Sequence, residues 1–148
     1  MLIEVVHANT PDQLSDVFSI RERVFVEEQE VSREDEYDQF EDTSTHFLAM
    51  ADGKPAGTAR WRFTEKGIKL ERFAVDKPYR GKGVGAALVQ AVMDNISQHP
   101  EAKGRTLYLH SQLKAMPLYA RFGFKKKGEM FEECGIQHFT MATAIDQG

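Results

Sequence analysis

Between Val75 and Val92 the chain reads VDKPYRGKGVGAALVQAV, in which Gly81, Gly83 and Gly85 closely follow Arg80. Glycines that end a strand and open a helix let backbone come close to a ligand. The first N–H groups of such a helix have no partner within it, and the helix dipole adds attraction for an anion. Arg80 and Lys82 place positive charge at the same spot. The chemistry this pattern suits is the holding of a phosphate or pyrophosphate.

Which phosphate carrier it suits depends on context. Gly81-Lys82-Gly83-Val84-Gly85-Ala86 satisfies G-x-G-x-x-A. That fingerprint belongs to a tight first turn followed, about 20 residues later, by an acid that binds a ribose hydroxyl. Here a longer connection, DKPYR, precedes the glycines, and the next strand closes on His110-Ser111 without an acid. The phosphate loop G-x-x-x-x-G-K-[ST] is absent too. A glycine-rich turn that merely starts a helix is the remaining alternative.

Further residues could carry chemistry. Glu71, in IKLERFAV, offers a carboxylate on the strand that leads to the loop. The acidic run from Glu27 to Asp42 holds Glu28, Glu36 and Asp38. It reads as a cleft that attracts a cationic amine or as a solvated loop. The histidines show no H-x-x-x-H pair and Cys134 stands alone, so no metal site and no disulfide are expected. RFGFKKKG, from Arg121, is a basic cluster suited to helping with phosphates or to a solvated strand end.

These groups need positioning by elements whose signals are local. MLIEVVHA reads as a strand. A helix follows, with Thr10 as cap, Pro11 in its first turn and Gln13 completing a capping box. The stretch from Glu27 to His46 fits neither period and reads as loop. HFLAMADGKPAGTARWRF gives two strands about Asp52-Gly53, a two-residue hairpin signal. In IKLERFAV, strict alternation puts Lys69, Glu71, Phe73 and Val75 on one face and Ile68, Leu70, Arg72 and Ala74 on the other. A helix is expected from Gly83 to about Gln98, then the strand RTLYLHS, a short helix over KAMPLYARF, the strand GFKKKGEMF and a last strand over residues 135–145. Three antiparallel strands, a strand–helix–strand crossover and a terminal hairpin give the expectation of a mixed α/β domain spanning 1–148, with a central, mostly antiparallel sheet of about six to seven strands flanked by helices.

FAVDKPYRGKGVGAALV closely resembles motif A of the GNAT superfamily of N-acetyltransferases, [QR]-x-x-G-x-[GA], with Arg80, Gly83 and Gly85 at its defining positions. LHSQLKAMPLYARFGF is similar to the superfamily's motif B, in which a tyrosine lies four residues before Gly-Phe, as Tyr119 lies before Gly123-Phe124. Arg21, Val24, Phe25, Glu28, Gln29, Glu36, Asp38, His46, Gly135, Ile136, His138 and Met141 fit the small bacterial ElaA/YjcF-type branch. The resemblance covers nearly the whole chain.

The resemblance implies acetyl-CoA as cosubstrate and direct acetyl transfer to a primary amine in a ternary complex. It implies a splayed central sheet, in which residues 80–85 (Arg80, Gly81, Lys82, Gly83, Val84, Gly85) hold the pyrophosphate and the exposed backbone of Phe73, Ala74 and Val75 pairs with the pantetheine. Gln112 takes a position where many members contact the cofactor arm. Tyr119 assists thiolate departure. Glu71 is the expected base, through water, or equally a structural carboxylate paired with an arginine, since histone-type members carry their glutamate two residues earlier, where this chain has Lys69. Glu28, Gln29, Glu36, Asp38 and His138 are expected to face the acceptor, with His46 beside them. A CoA-binding sensor without turnover and an acyl-homoserine-lactone-synthase-like acyltransferase are the competing readings. The acceptor is a small-molecule or peptide amine whose identity stays open, and pairing of sheet edges into a homodimer stays open with it.

Composition narrows the partners. The 148 residues carry a net charge of −4, with 41% hydrophobic and 28% charged content, so no general nucleic-acid footprint is expected. No apolar run approaches the ~20 residues of a membrane span. MLIEVVHANT shows no basic leader before an apolar core, and the cytoplasm is the expected location.

Overall fold

The computed structural model describes residues 1–144; the expected last strand ends at Ile145, outside the described residues. The strands are β1 (Ile3–His7), β2 (Thr45–Ala51), β3 (Lys54–Thr64), β4 (Gly67–Val75), β5 (Thr106–Gln112), β6 (Lys125–Glu133) and β7 (Ile136–Ala144). They form one sheet in the order β1-β2-β3-β4-β5-β7-β6. Every pairing is antiparallel except β4 with β5, which are parallel. The helices are α1 (Pro11–Arg21), α2 (Arg33–Glu36), α3 (Val84–Ser97) and α4 (Met116–Ala120). The fold is the expected mixed α/β one.

Local signals act as the sequence suggests. The Thr10 hydroxyl accepts from the Gln13 amide at 3.2 Å, and the Gln13 side chain accepts from the Thr10 amide at 3.2 Å. Asp52 and Gly53 both adopt positive φ, 49° and 81°. The twist-matched two-residue hairpin turn requires that conformation at both positions. α3 lays Val84, Leu88, Val92 and Ile96 against one face of the sheet, where Phe47, Trp61, Ile68, Leu70, Leu107 and Leu109 meet them. Leu88 is fully buried there, and truncating such a leucine to alanine costs about 2–5 kcal/mol. α1 covers the opposite face over Ala8, Leu48 and Ala74.

Two departures position the site. First, β4 does not alternate throughout. Thr58 pairs with Ala74 but Arg60 pairs with Glu71, so Arg72 and Phe73 together oppose Ala59. Arg72 takes φ 57°. That left-handed conformation costs an L-residue about 1–2 kcal/mol. This bulge corrects the expected faces: Phe73 and Val75 join Ile68 and Leu70 on the α3 face, while Ala74 lies on the α1 face. Second, β4 and β5 pair only at Ile68–Leu107 and Lys69–Tyr108. Beyond that point the parallel strands part, and the sheet opens.

The helix that begins at Pro11 extends past α1, and the segment read as loop holds one short turn of order. α1 runs on into a π-helical stretch, Glu22–Glu28, whose wider turns end with the Gln29 amide donating to the Val24 carbonyl at 3.1 Å. Ser32 then caps the single turn of α2. No helix among the described residues is long and apolar enough to cross a membrane.

Candidate active site

The parted strands line a cleft of about 690 Å³. At one end it meets the glycine loop. Gly81 and Gly83 have φ of 74° and 90°, and a Cβ on Gly81 would meet nothing within 4 Å. Gly83 precedes the first turn of α3 and supplies no side-chain cap, so the leading amides of that helix face outward. A Cβ on Gly85 would come within 3.2 Å of Leu118 and 3.9 Å of Val75, so this glycine lets α3 sit close to both. A smaller recess of about 380 Å³ continues along the loop, bordered by Tyr79, Gly83, Val84, Leu118 and Arg121. Lys82 is exposed beside it. The cradle fits a pyrophosphate: backbone donors, room for close approach, and cations at its rim.

The bulged end of β4 brings Phe73, Ala74 and Val75 to the cleft wall. Arg80 already has partners there. Its Nε donates to the Val75 carbonyl at 2.9 Å, and its guanidinium meets Glu28 at 2.8 Å. Gln112, at the end of β5, donates to Gln29 at 2.9 Å. Glu28 and Gln29, expected to face the acceptor, thus touch two residues expected to hold the cofactor.

Tyr119 lies on α4 against the same cleft, its ring 5.5 Å edge-on from Phe73. Its hydroxyl has no hydrogen-bond partner among the described residues, and burial pushes its phenol well above the ordinary tyrosine range. Such a group stays protonated and is free to donate a hydrogen bond to a ligand.

Behind the other end of the cleft lies a lattice of charges, of which Glu36, Glu71 and Arg72 reach the lining. Arg21 meets Glu36 at 2.6 Å and Glu41 at 2.8 Å; Arg60 meets Asp38 at 2.6 Å, Glu41 at 2.8 Å and Glu71 at 2.6 Å. Arg72, at the bulge, meets Glu36 at 3.1 Å and Asp38 at 3.3 Å. The side chains of Arg21 and Arg60 are fully buried. Charges so far from water need compensation nearby, and these carboxylates supply it. Burial would raise Asp38, but Arg60, the Phe40 amide and Arg72 hold it down at about 2.

Glu71 reaches the cleft wall, yet Arg60, Arg62 at 2.7 Å and Lys69 at 3.4 Å surround its carboxylate. Burial works to raise its pKa, and these cations outweigh that and lower it. A carboxylate so neutralised is a weak proton acceptor. Glu36 and His138 also line the cleft, whereas Asp38 is not among its lining residues and clamps Arg60 and Arg72 instead. His46 is buried beside Phe18, its Nε2 2.8 Å from the Glu41 carbonyl.

Sequence reasoning passed over one pair. His110, on β5, and Glu133, at the end of β6, both line the cleft, with Nδ1 and Oε2 3.1 Å apart. The two lie 23 positions apart, and only the β5-β7-β6 order brings them together.

A mixed sheet that parts beside an uncapped, glycine-led helix gives a cleft with an anion cradle at one end. The sequence profile of the acetyltransferase (GNAT) domain matches residues 9–145, and the chain belongs to that family. It is an acetyl-CoA-dependent acetyltransferase. YjcF of Bacillus subtilis (strain 168), called an uncharacterized N-acetyltransferase, is 36% identical over 140 residues, covering 94% of this chain and 98% of its own. The crystal structure of Escherichia coli ElaA superposes with TM-score 0.81 at 25% identity, over 95% of this chain and 97% of ElaA. A crystal structure from Lactobacillus plantarum, at TM-score 0.85 and 22% identity over 98% of this chain and 99% of its own, shares the fold. These similarities agree with the ElaA/YjcF-type branch.

Proposed function

We propose that the chain, acting as one domain, passes the acetyl group of acetyl-CoA directly to a primary amine within a ternary complex. The observation that carries this reading is the Tyr119 hydroxyl, without a partner, in the wall of a cleft that joins the glycine cradle to a charged and histidine-bearing second half. The cradle from Arg80 to Gly85 holds the pyrophosphate, with Arg121 beside it. The Phe73–Val75 edge pairs with the pantetheine arm, and Gln112 steadies it.

Tyr119 serves the departing sulfur. A thiol of pKa ~8.5 and an ordinary phenol of pKa ~10 already make full proton transfer uphill. Burial of Tyr119 widens that gap. Its contribution is therefore a hydrogen bond to the charge that develops on sulfur. Direct transfer also suits Cys134, whose thiol is raised by burial and by Asp35 and Glu133. Such a thiol holds little of the thiolate a covalent route needs.

Glu71 organises its surrounding cations and orders water. Glu28, Gln29, Glu36 and His138 line the acceptor's path, and Asp38 supports it from behind.

Thiol release from acetyl-CoA, followed across primary amines, tests the reading. Steady release with at least one amine is expected, with one acetyl amide formed per thiol. Acetyl-CoA binding without release would favour a sensor, and release only from an acylated carrier protein would favour the synthase-like alternative.

A further inference from the structure

We propose that His110, held by Glu133, is the general base that takes the proton from the acceptor amine. The inference rests on the amine reading above and supplies the group that reading lacks.

An amine of pKa ~10.4 is neutral in only about one molecule in 2,500 at pH 7, so a lysine-like acceptor needs a proton acceptor near the thioester. Glu71 is tied up by Arg60, Arg62 and Lys69. His110 is not. Its Nδ1 lies 3.1 Å from the Glu133 carboxylate, and Nε2 has no partner among the described residues. Its side chain is 29% exposed in the cleft, while Phe131 packs edge-on at 5.1 Å and fixes the ring from behind. A carboxylate on Nδ1–H selects the tautomer with a bare, accepting Nε2 and stabilises the imidazolium that forms.

Placement agrees with the role. Leu107 and Leu109 pack on the α3 face, so alternation sends His110 to the other face, where Lys69 and Glu71 lie. Tyr119 and Phe73 pack with the α3 side. Base and thiolate partner thus stand on opposite faces of the sheet, and the gap between β4 and β5 connects them. An amine arriving from the α1 side meets His110 before it reaches the thioester. The charged and titratable groups about the pair are Lys69 and Glu71 on β4, Tyr108 on β5, Cys134 in the β6–β7 turn and His138 on β7.

The protons balance as follows. Nε2 takes one proton from R–NH₃⁺ and returns it to bulk water. The freed lone pair forms the C–N bond, the C–S bond breaks, and the proton shed by the acylated nitrogen ends on the thiolate beside Tyr119. The net products are the amide, CoA–SH and one H⁺.

The test compares spermidine, cationic at pH 7, with methoxyamine, a nucleophile already neutral there, in wild type, His110→Gln and Glu133→Gln. With spermidine, His110→Gln should lose about 10²-fold or more in thiol release, while methoxyamine turnover stays within about threefold. Glu133→Gln should move the acidic limb of the spermidine profile to lower pH, because a neutral amide supports the imidazolium less. Long-range ¹H–¹⁵N spectra of the acetyl-CoA complex should show His110 protonated at Nδ1 and bare at Nε2. Equal losses with both amines, no loss with either, or an Nε2–H tautomer would overturn the assignment. A wild-type enzyme that is stabilised by acetyl-CoA yet acetylates neither amine would count against the amine reading instead, and the tautomer would still decide the state of His110.

Discussion

The two ends of the cleft hold their ligand-facing groups in opposite ways. At the glycine loop the work falls to backbone: positive-φ Gly81 and Gly83, an uncapped α3, and the parted edge of β4. At the charged end, proposed here to take the acceptor, it falls to side chains from α1, α2, β3 and β4, held in place by a buried lattice of arginines and carboxylates. A backbone cradle can hold the part of a cosubstrate that never varies. A side-chain lattice can be rebuilt pair by pair, and that suits the half of the cleft that must choose an acceptor.

The contrast breaks most visibly where a buried cation is removed. Arg60→Leu leaves Asp38, Glu41 and Glu71 facing one another without their shared partner. Denaturant unfolding should then show a loss of about 3–5 kcal/mol. Tyr119→Phe acts on chemistry and leaves the lattice alone: turnover should fall about 10²-fold with acetyl-CoA affinity retained. The unpartnered hydroxyl means little stability goes with it. Gly83→Ala probes the cradle, where φ of 90° strains any side chain. Titration calorimetry should find acetyl-CoA bound about tenfold more weakly, in line with a strain of about 1–2 kcal/mol.

Acid sharpens the same comparison. The folded-state pKa of Asp38 is about 2, against an ordinary value of 3.8. The unfolded chain therefore binds that proton first. The stabilising share of Asp38, present above pH 3.8, is lost as pH falls toward 2. Asp38→Asn should flatten the stability profile over that window. The smallest effect belongs to the contact that joins the two halves. Glu28→Gln frees the exposed Arg80 from its 2.8 Å partner. CoA affinity should rise about two- to fivefold.

The cofactor end was legible because glycine is itself a statement about backbone: it suits the φ values seen at positions 81 and 83, which few other residues adopt. Caps and hairpins were legible for the same reason, as Thr10, Gln13, Asp52 and Gly53 act within a few residues of themselves. The acceptor end was not. Its acids read as a solvated run or an amine trap, whereas Glu36, Asp38 and Glu41 mostly answer arginines on other elements, such as Arg60, 22 positions from Asp38. The bulge at Arg72 left no signal either, since arginine has no preference for φ of 57° and only the β3 register exposes the extra residue. His110 needed the insertion of β7 between β5 and β6 before Glu133 could reach it.

The central claim is that the glycine loop and the split beside it form a coenzyme A site. Thermal unfolding with acetyl-CoA, and separately with NADH, tests it most directly. Acetyl-CoA at ~100 times its dissociation constant should add about 2.7 kcal/mol and raise the midpoint, while NADH leaves it in place. No rise with saturating acetyl-CoA, or stabilisation by NADH in its stead, would contradict the account.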